Sequence, residues 1–162
     1  MTALKLIGSG LVILFGAAAG RSLGDYLMDK YRTLEVVVDM LRRLLMILEY
    51  EQPTVDEMLS RVSVTDGFKP VFLLAAAAGR EALISSLHEN KDGMSDPDRT
   101  RLETLVRELG SADKTSEQQR LSAALTYFTE RATALRPRAE SNKKLSRSLG
   151  LLGGIFIVVL LV

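Results

Sequence analysis

Residues 23–49 read LGDYLMDKYRTLEVVVDMLRRLLMILE. Leu27, Tyr31, Leu34, Val38, Leu41, Leu45 and Leu48 follow one another at alternating spacings of four and three. That is a heptad seam, the mark of an α-helix with one apolar face. Glu35, Asp39, Arg42 and Arg43 fall off it. The seam reads as a buried face within a helical bundle in preference to a free coiled coil. The helix is expected to continue back into the apolar run before it without a break.

Downstream, helix signals recur. Pro53 ends the first helix, and Thr54 with Glu57 forms a capping box for a short second one carrying Val55, Met58, Leu59 and Val62. Asp66-Gly67 breaks it, and Pro70 starts a third helix running to about Leu87. Phe72, Ala75, Ala76, Gly79, Ala82 and Leu83 suit close packing there. Asp92-Gly93 marks a turn. Asp96-Pro97 opens a fourth helix as N-cap and first helical residue, with Leu102, Leu105, Val106 and Leu109 apolar and Gly110 as its stop. Asp113 or Thr115 caps a fifth helix with Leu121, Ala124, Leu125, Phe128, Ala132 and Leu135. Pro137 is expected to kink or break it. No alternating strand pattern appears.

The two ends differ from the middle. Leu6–Gly20, LIGSGLVILFGAAAG, is an apolar run of 15 residues, and Leu149–Val162, LGLLGGIFIVVLLV, one of 14. Both are short of the roughly 20 residues of an ordinary spanning helix. Flanking Ser22, Leu23 and Ser148 extend them, and Lys5 can snorkel. A cleaved signal peptide is the rival reading of the N-terminus, with Ala17-Ala18-Ala19 as the cut. Arg21 and the helical pattern beyond it count against cleavage. Arg21, Lys30, Arg32, Arg136, Arg138, Lys143, Lys144 and Arg147 all flank the runs on the central side. The positive-inside rule then puts the central domain in the cytoplasm. Gly16 and Gly20, and Gly150 and Gly154, stand four apart and would let anchor helices pack closely.

Composition and motifs exclude much chemistry. There is no cysteine, hence no disulfide or thiol chemistry. Residues 21–147 hold 20 basic and 20 acidic side chains, which gives no footprint for nucleic acid. The one histidine, His88, cannot by itself make a metal site. Asp56 with Glu57, and Asp96 with Asp98, read as helix-start acids rather than as a catalytic pair. Asp92–Asp98, DGMSDPD, lacks the spacing and terminal glutamate of a calcium loop. No phosphate loop, nucleophile elbow or HExxH is present. The sequence therefore reads as non-enzymatic, with no cofactor, metal or small-molecule substrate. Interaction surfaces remain. The candidates are Arg42 and Arg43 on the first helix and the turn Leu109, Gly110 and Asp113.

The chain resembles the stage III sporulation protein AB family along nearly its whole length. The resemblance is carried by Leu4-Lys5-Leu6-Ile7-Gly8, by the Tyr50 to Pro53 turn, and by Leu109-Gly110 with Asp113 and Gln118-Gln119. It ends on Ser148-Leu149-Gly150-Leu151-Leu152-Gly153-Gly154. The family usually has acidic residues and a Thr-Pro-Leu turn where this chain reads Leu45 to Val55, and Pro137 is also a departure. The resemblance implies a component of the channel complex linking mother cell and forespore, in the mother-cell membrane around the forespore. It implies a soluble domain similar to that of type II secretion F proteins. Its implied partners are a secretion-type ATPase, stage III sporulation protein AA, and other channel membrane proteins.

The expected architecture is all-α, a small helical bundle of five to six helices flanked by N- and C-terminal membrane helices. Residues 1–22 are the N-terminal membrane anchor, 23–147 the cytoplasmic helical bundle domain and 148–162 the C-terminal membrane anchor. The expected function is that of a platform or adaptor coupling the ATPase to the membrane channel. The alternative is a small membrane-active or pore-forming protein, against which the large structured middle argues.

Overall fold

The computed structural model describes residues 2–51, 53–63, 70–89 and 93–161, with side-chain surroundings for 25–142 of these and for 145, 148 and 152. Its elements are α1 (Thr2–Tyr50), α2 (Val55–Val62), α3 (Val71–Ala76), α4 (Arg80–Glu89), α5 (Asp96–Glu108) and α6 (Lys114–Leu161). All regular structure among the described residues is helical. Two compact units are present: residues 32–133, and residues 1–31 with 134–162.

The expected unbroken first helix is found, as α1 runs from Thr2 to Tyr50. Its buried face is broader than the seam. Thr33, Leu34, Val37, Val38, Met40, Leu41 and Leu44 are buried, while Leu45 and Leu48 are only half-buried. A straight helix of 3.6 residues per turn drifts about 20° per heptad, so the buried row slides from Leu41 onto Leu44. A face this wide belongs to a bundle core.

The capping box at α2 is present. Glu57 N donates to Thr54 Oγ1 at 3.4 Å, and Thr54 N donates back to Glu57 Oε2 at 3.0 Å. The expected break at Asp66-Gly67 lies outside the described residues. Pro70 is the N-cap of α3. The expected single third helix is corrected. It is two, because Gly79 takes φ +103° and the Asp56 carboxylate receives the amide of Arg80 at 3.2 Å. A tertiary cap restarts the chain as α4. The N-cap of α5 is Ser95, one residue before the expected Asp96, and Pro97 lies in the first turn. Gly110 does end that stretch, with φ +79°, and Asp113 does cap α6.

Of the kink or break expected at Pro137, the break is not found, since α6 continues from Lys114 to Leu161 with Pro137 inside it. Proline removes one amide donor and crowds the carbonyl four residues back, that of Thr133. Ala132 and Ala139 are buried on either side of it. One lost bond is small beside the many of a helix this long, so the helix propagates through it.

The core of unit 32–133 is apolar. Met40, Leu41, Leu44, Leu59, Leu73, Leu83, Leu87, Leu102, Leu121 and Phe128 are nearly or wholly inaccessible. Each such side chain contributes about 2 kcal/mol by leaving water. Within this unit α4 packs on α2, α3 and α5.

Candidate interaction site

The turn between α5 and α6 is fastened from several sides. Leu109 is buried, and its carbonyl accepts from Arg80 Nη2 at 2.5 Å. The amide of Gly110 donates to Glu117 Oε1 at 3.1 Å. Glu117 is buried in the first turn of α6, and its other oxygen, Oε2, has no partner among the described residues. A Cβ built on Gly110 would stand 2.5 Å from Val55 Cγ2. Glycine is thus required twice, for the left-handed backbone and for the close approach of α2.

Asp113 opens α6. Its carboxylate accepts from Ser116 Oγ at 2.6 Å and from the Ser116 amide at 3.2 Å. The Ser116 hydroxyl and then its amide hold the Asp113 carboxyl below the usual carboxylate range. Arg120 Nη1 donates to Ser111 Oγ at 3.2 Å and stands 3.8 Å from Glu108. Gly110, Ser111 and Asp113 are the exposed residues of the turn, while Leu109 belongs to the core. Beside Arg80 lies an open cavity of about 440 Å³, lined by Asp56, Ala78, Gly79, Arg80 and Glu81.

The second candidate region sits close by. Lys114 Nζ donates to the Glu49 carbonyl at 2.9 Å, bringing the start of α6 against the last turn of α1. A cation there also complements the negative end of the α1 dipole. Arg42 lies two turns back and is exposed. Arg43 is bonded to Asp39 at 2.9 Å, so its charge is shared. Met46 and Tyr50 continue the Arg42 row at spacings of four and are 54% and 83% exposed. Sequence reading passed over these two. Their signal was legible: they stand one and two turns beyond Arg42, away from the seam. The structure therefore brings the turn after α5 close to the last turn of α1, with Arg42 and Arg43 further back along that helix. Gly16, Gly20, Gly150 and Gly154 lie where side-chain surroundings are outside the described residues.

Asp98 stands in the first turn of α5, as expected of a helix-start acid, and has distant partners that its local sequence does not show. Asp96 does pair locally, with Arg99. Asp98 is instead buried at 2% exposure and accepts from Ser95 Oγ, from Tyr127 Oη at 2.8 Å and from Arg131 at 3.1 and 3.2 Å. Burial alone would raise the Asp98 carboxyl. The bonds from Arg131, Ser95 and Tyr127 outweigh it and hold the group below the usual carboxylate range. Arg101 stacks on the Tyr127 ring at 4.3 Å from its centroid. This arrangement buttresses α5 against α6.

His88 ends α4 on the surface, with Nδ1 3.3 Å from Glu103. Among the described residues no three His, Asp or Glu side chains gather as metal ligands. Among them, too, no helix is long and apolar enough to cross a membrane. Apart from Leu152, the two terminal apolar runs lie outside the side chains described.

No match is found among curated proteins or among solved structures. Residues 5–162 match the family profile described as stage III sporulation protein AB. That is almost the entire chain, so the chain belongs to the stage III sporulation protein AB family and its role is in sporulation.

Proposed function

We propose that the protein is a membrane-anchored, non-enzymatic platform in the mother-cell membrane around the forespore. It joins a cytoplasmic secretion-type ATPase to the other membrane proteins of the channel. The family match over residues 5–162 carries this reading. The course of the two long helices supports it. α1 and α6 each run unbroken from the helical unit 32–133 into a terminal apolar run. The anchors are residues 1–22 and 148–162 and the bundle residues 23–147. The ATPase-facing surface comprises the turn with Gly110 and Asp113 and the exposed α1 face with Arg42.

Affinity purification of the detergent-solubilised full chain from sporulating cells tests the proposal. A secretion-type ATPase or a channel membrane protein should co-purify. Absence of both, while a control membrane complex survives the same detergent, rejects it.

A further inference from the structure

We infer that the outward face of α3, together with the cavity at its end, docks a basic amphipathic helix of a partner protein. α3 turns Phe72, Leu73 and Ala76 into the core. Val71 and Leu74, on its other side, are each more than half exposed. The chain keeps coiling past the helix end, with Ala77 N donating to the Leu74 carbonyl at 3.3 Å and Ala78 N to that of Ala75 at 3.0 Å. Ala77 and Ala78 are exposed too, so the bare face continues onto them. Positions 71, 74 and 78 carry the spacing of one apolar helix stripe, over about 10 Å of rise. The alanines beyond Leu74 let a second helix come close. Laying an apolar helix face on such a stripe is a common mode of peptide recognition.

Charge identifies the occupant. Ala78 also lines the cavity of about 440 Å³, whose other walls are Asp56, Gly79, Arg80 and Glu81. The Asp56 carboxylate is fixed there by the amide of Arg80 at 3.2 Å. Glu81 is exposed and makes no ion pair among the described residues. The one cation of the lining, Arg80, commits its Nη2 to the Leu109 carbonyl. Across α2, α3 and α4 the acids are Asp56, Glu57, Glu81 and Glu89, and the only other arginine, Arg61, is bonded to Glu51. An apolar stripe that runs into two carboxylates complements a helix whose apolar face is followed by lysine or arginine. The cavity takes that cation between Asp56 and Glu81. The same charges disfavour other occupants. A second copy docked face to face would bring these acids against their own counterparts. A stripe this short also falls well below the roughly 800 Å² per partner of a stable dimer. Anionic headgroups would meet carboxylates. The site does not depend on the ATPase reading, and its partner is defined by this chemistry alone.

The test places the photo-cross-linker p-benzoylphenylalanine in place of Leu74 in the full chain, in sporulating cells. Irradiation should join it to another protein. The cross-linked peptide, sequenced by mass spectrometry, should have apolar residues at helical spacing and a lysine or arginine within about one turn of the adduct. E81K in the same chain should cut the yield by at least about tenfold at equal protein level, and E81Q by less. Glu81 is exposed, so neither change threatens the fold. The probe in place of Ser122, exposed on α6, should not give this adduct. Cross-links only to a second copy, or only to lipid, overturn the inference. So do a cross-linked peptide without a nearby cation, a yield indifferent to E81K, the same adduct from position 122, and no cross-link at all.

Discussion

Arg131 holds the buried carboxylate of Asp98 by two bonds, Nε to Oδ1 at 3.1 Å and Nη2 to Oδ2 at 3.2 Å. The carboxylate sits in the first turn of α5 and the guanidinium far along α6, so the pair ties together helices joined only by a short turn. In R131A the aspartate stays buried with Ser95 and Tyr127 as its remaining donors. Removing one partner of a fully buried pair costs about 3–5 kcal/mol. Arg131 is nearly half exposed, at 46%, which weakens the pair. A loss of about 2 kcal/mol is expected in urea unfolding of the full chain in detergent, followed by circular dichroism.

The same residue predicts a dependence on pH. The carboxyl of Asp98 lies lower in the folded chain than its ordinary value. Its contribution to stability is therefore complete above the unfolded value of about 4. It is lost as pH falls from there through the lower folded value. Stability should decline below about pH 4, and D98N should flatten that limb while lowering stability at neutral pH. Parallel slopes for both proteins across that range would assign the acid sensitivity elsewhere.

How far the fold was legible depended on the range of the interaction that decides each element. The box at Thr54 and Glu57, the stop at Gly110 and the cap at Asp113 are contacts within a few residues, and all stood where the sequence put them. The division between α3 and α4 did not. VFLLAAAAGREALISSLHE favours helix throughout, and the bond that restarts it at Arg80 comes from Asp56, 24 residues earlier. Asp98 was read as a helix-start acid for the same reason, since its partners Tyr127 and Arg131 lie 29 and 33 residues away. At the candidate site, Arg42 and the 109–113 turn were visible separately. What links the turn to α1 is the bond from Lys114 to Glu49, across 65 residues.

Gly110 provides a separable test of the turn. Alanine there meets both a left-handed backbone at φ +79° and a methyl–methyl overlap with Val55. G110A should lose about 2–4 kcal/mol, about 1 of it from the backbone alone. Shortening Val55 removes the overlap but not the backbone strain. G110A/V55A should therefore be more stable than the sum of the two single changes predicts, by about 1 kcal/mol or more. Additive losses in the same unfolding assay would mean that the turn, and not the contact with α2, carries the whole effect.

Arg42 and Arg43 are adjacent in sequence but differ in what they can offer a partner. Arg43 shares its charge with Asp39 at 2.9 Å, whereas Arg42 is exposed and continues into Met46 and Tyr50. Arginine and tyrosine often dominate contact energies at protein interfaces, and methionine is enriched there. R42E should weaken binding of the purified secretion-type ATPase to the detergent-solubilised chain by about tenfold or more, and Y50A by a comparable factor. R43E should weaken it less, because the charge it reverses is already half-neutralised. It should also cost a few tenths of a kcal/mol in stability by placing two acids four apart on the helix. Equal effects of R42E and R43E would point to long-range charge attraction in place of a docked surface. Unchanged binding in R42E and Y50A would leave this face merely solvated and move the ATPase contact elsewhere on the bundle.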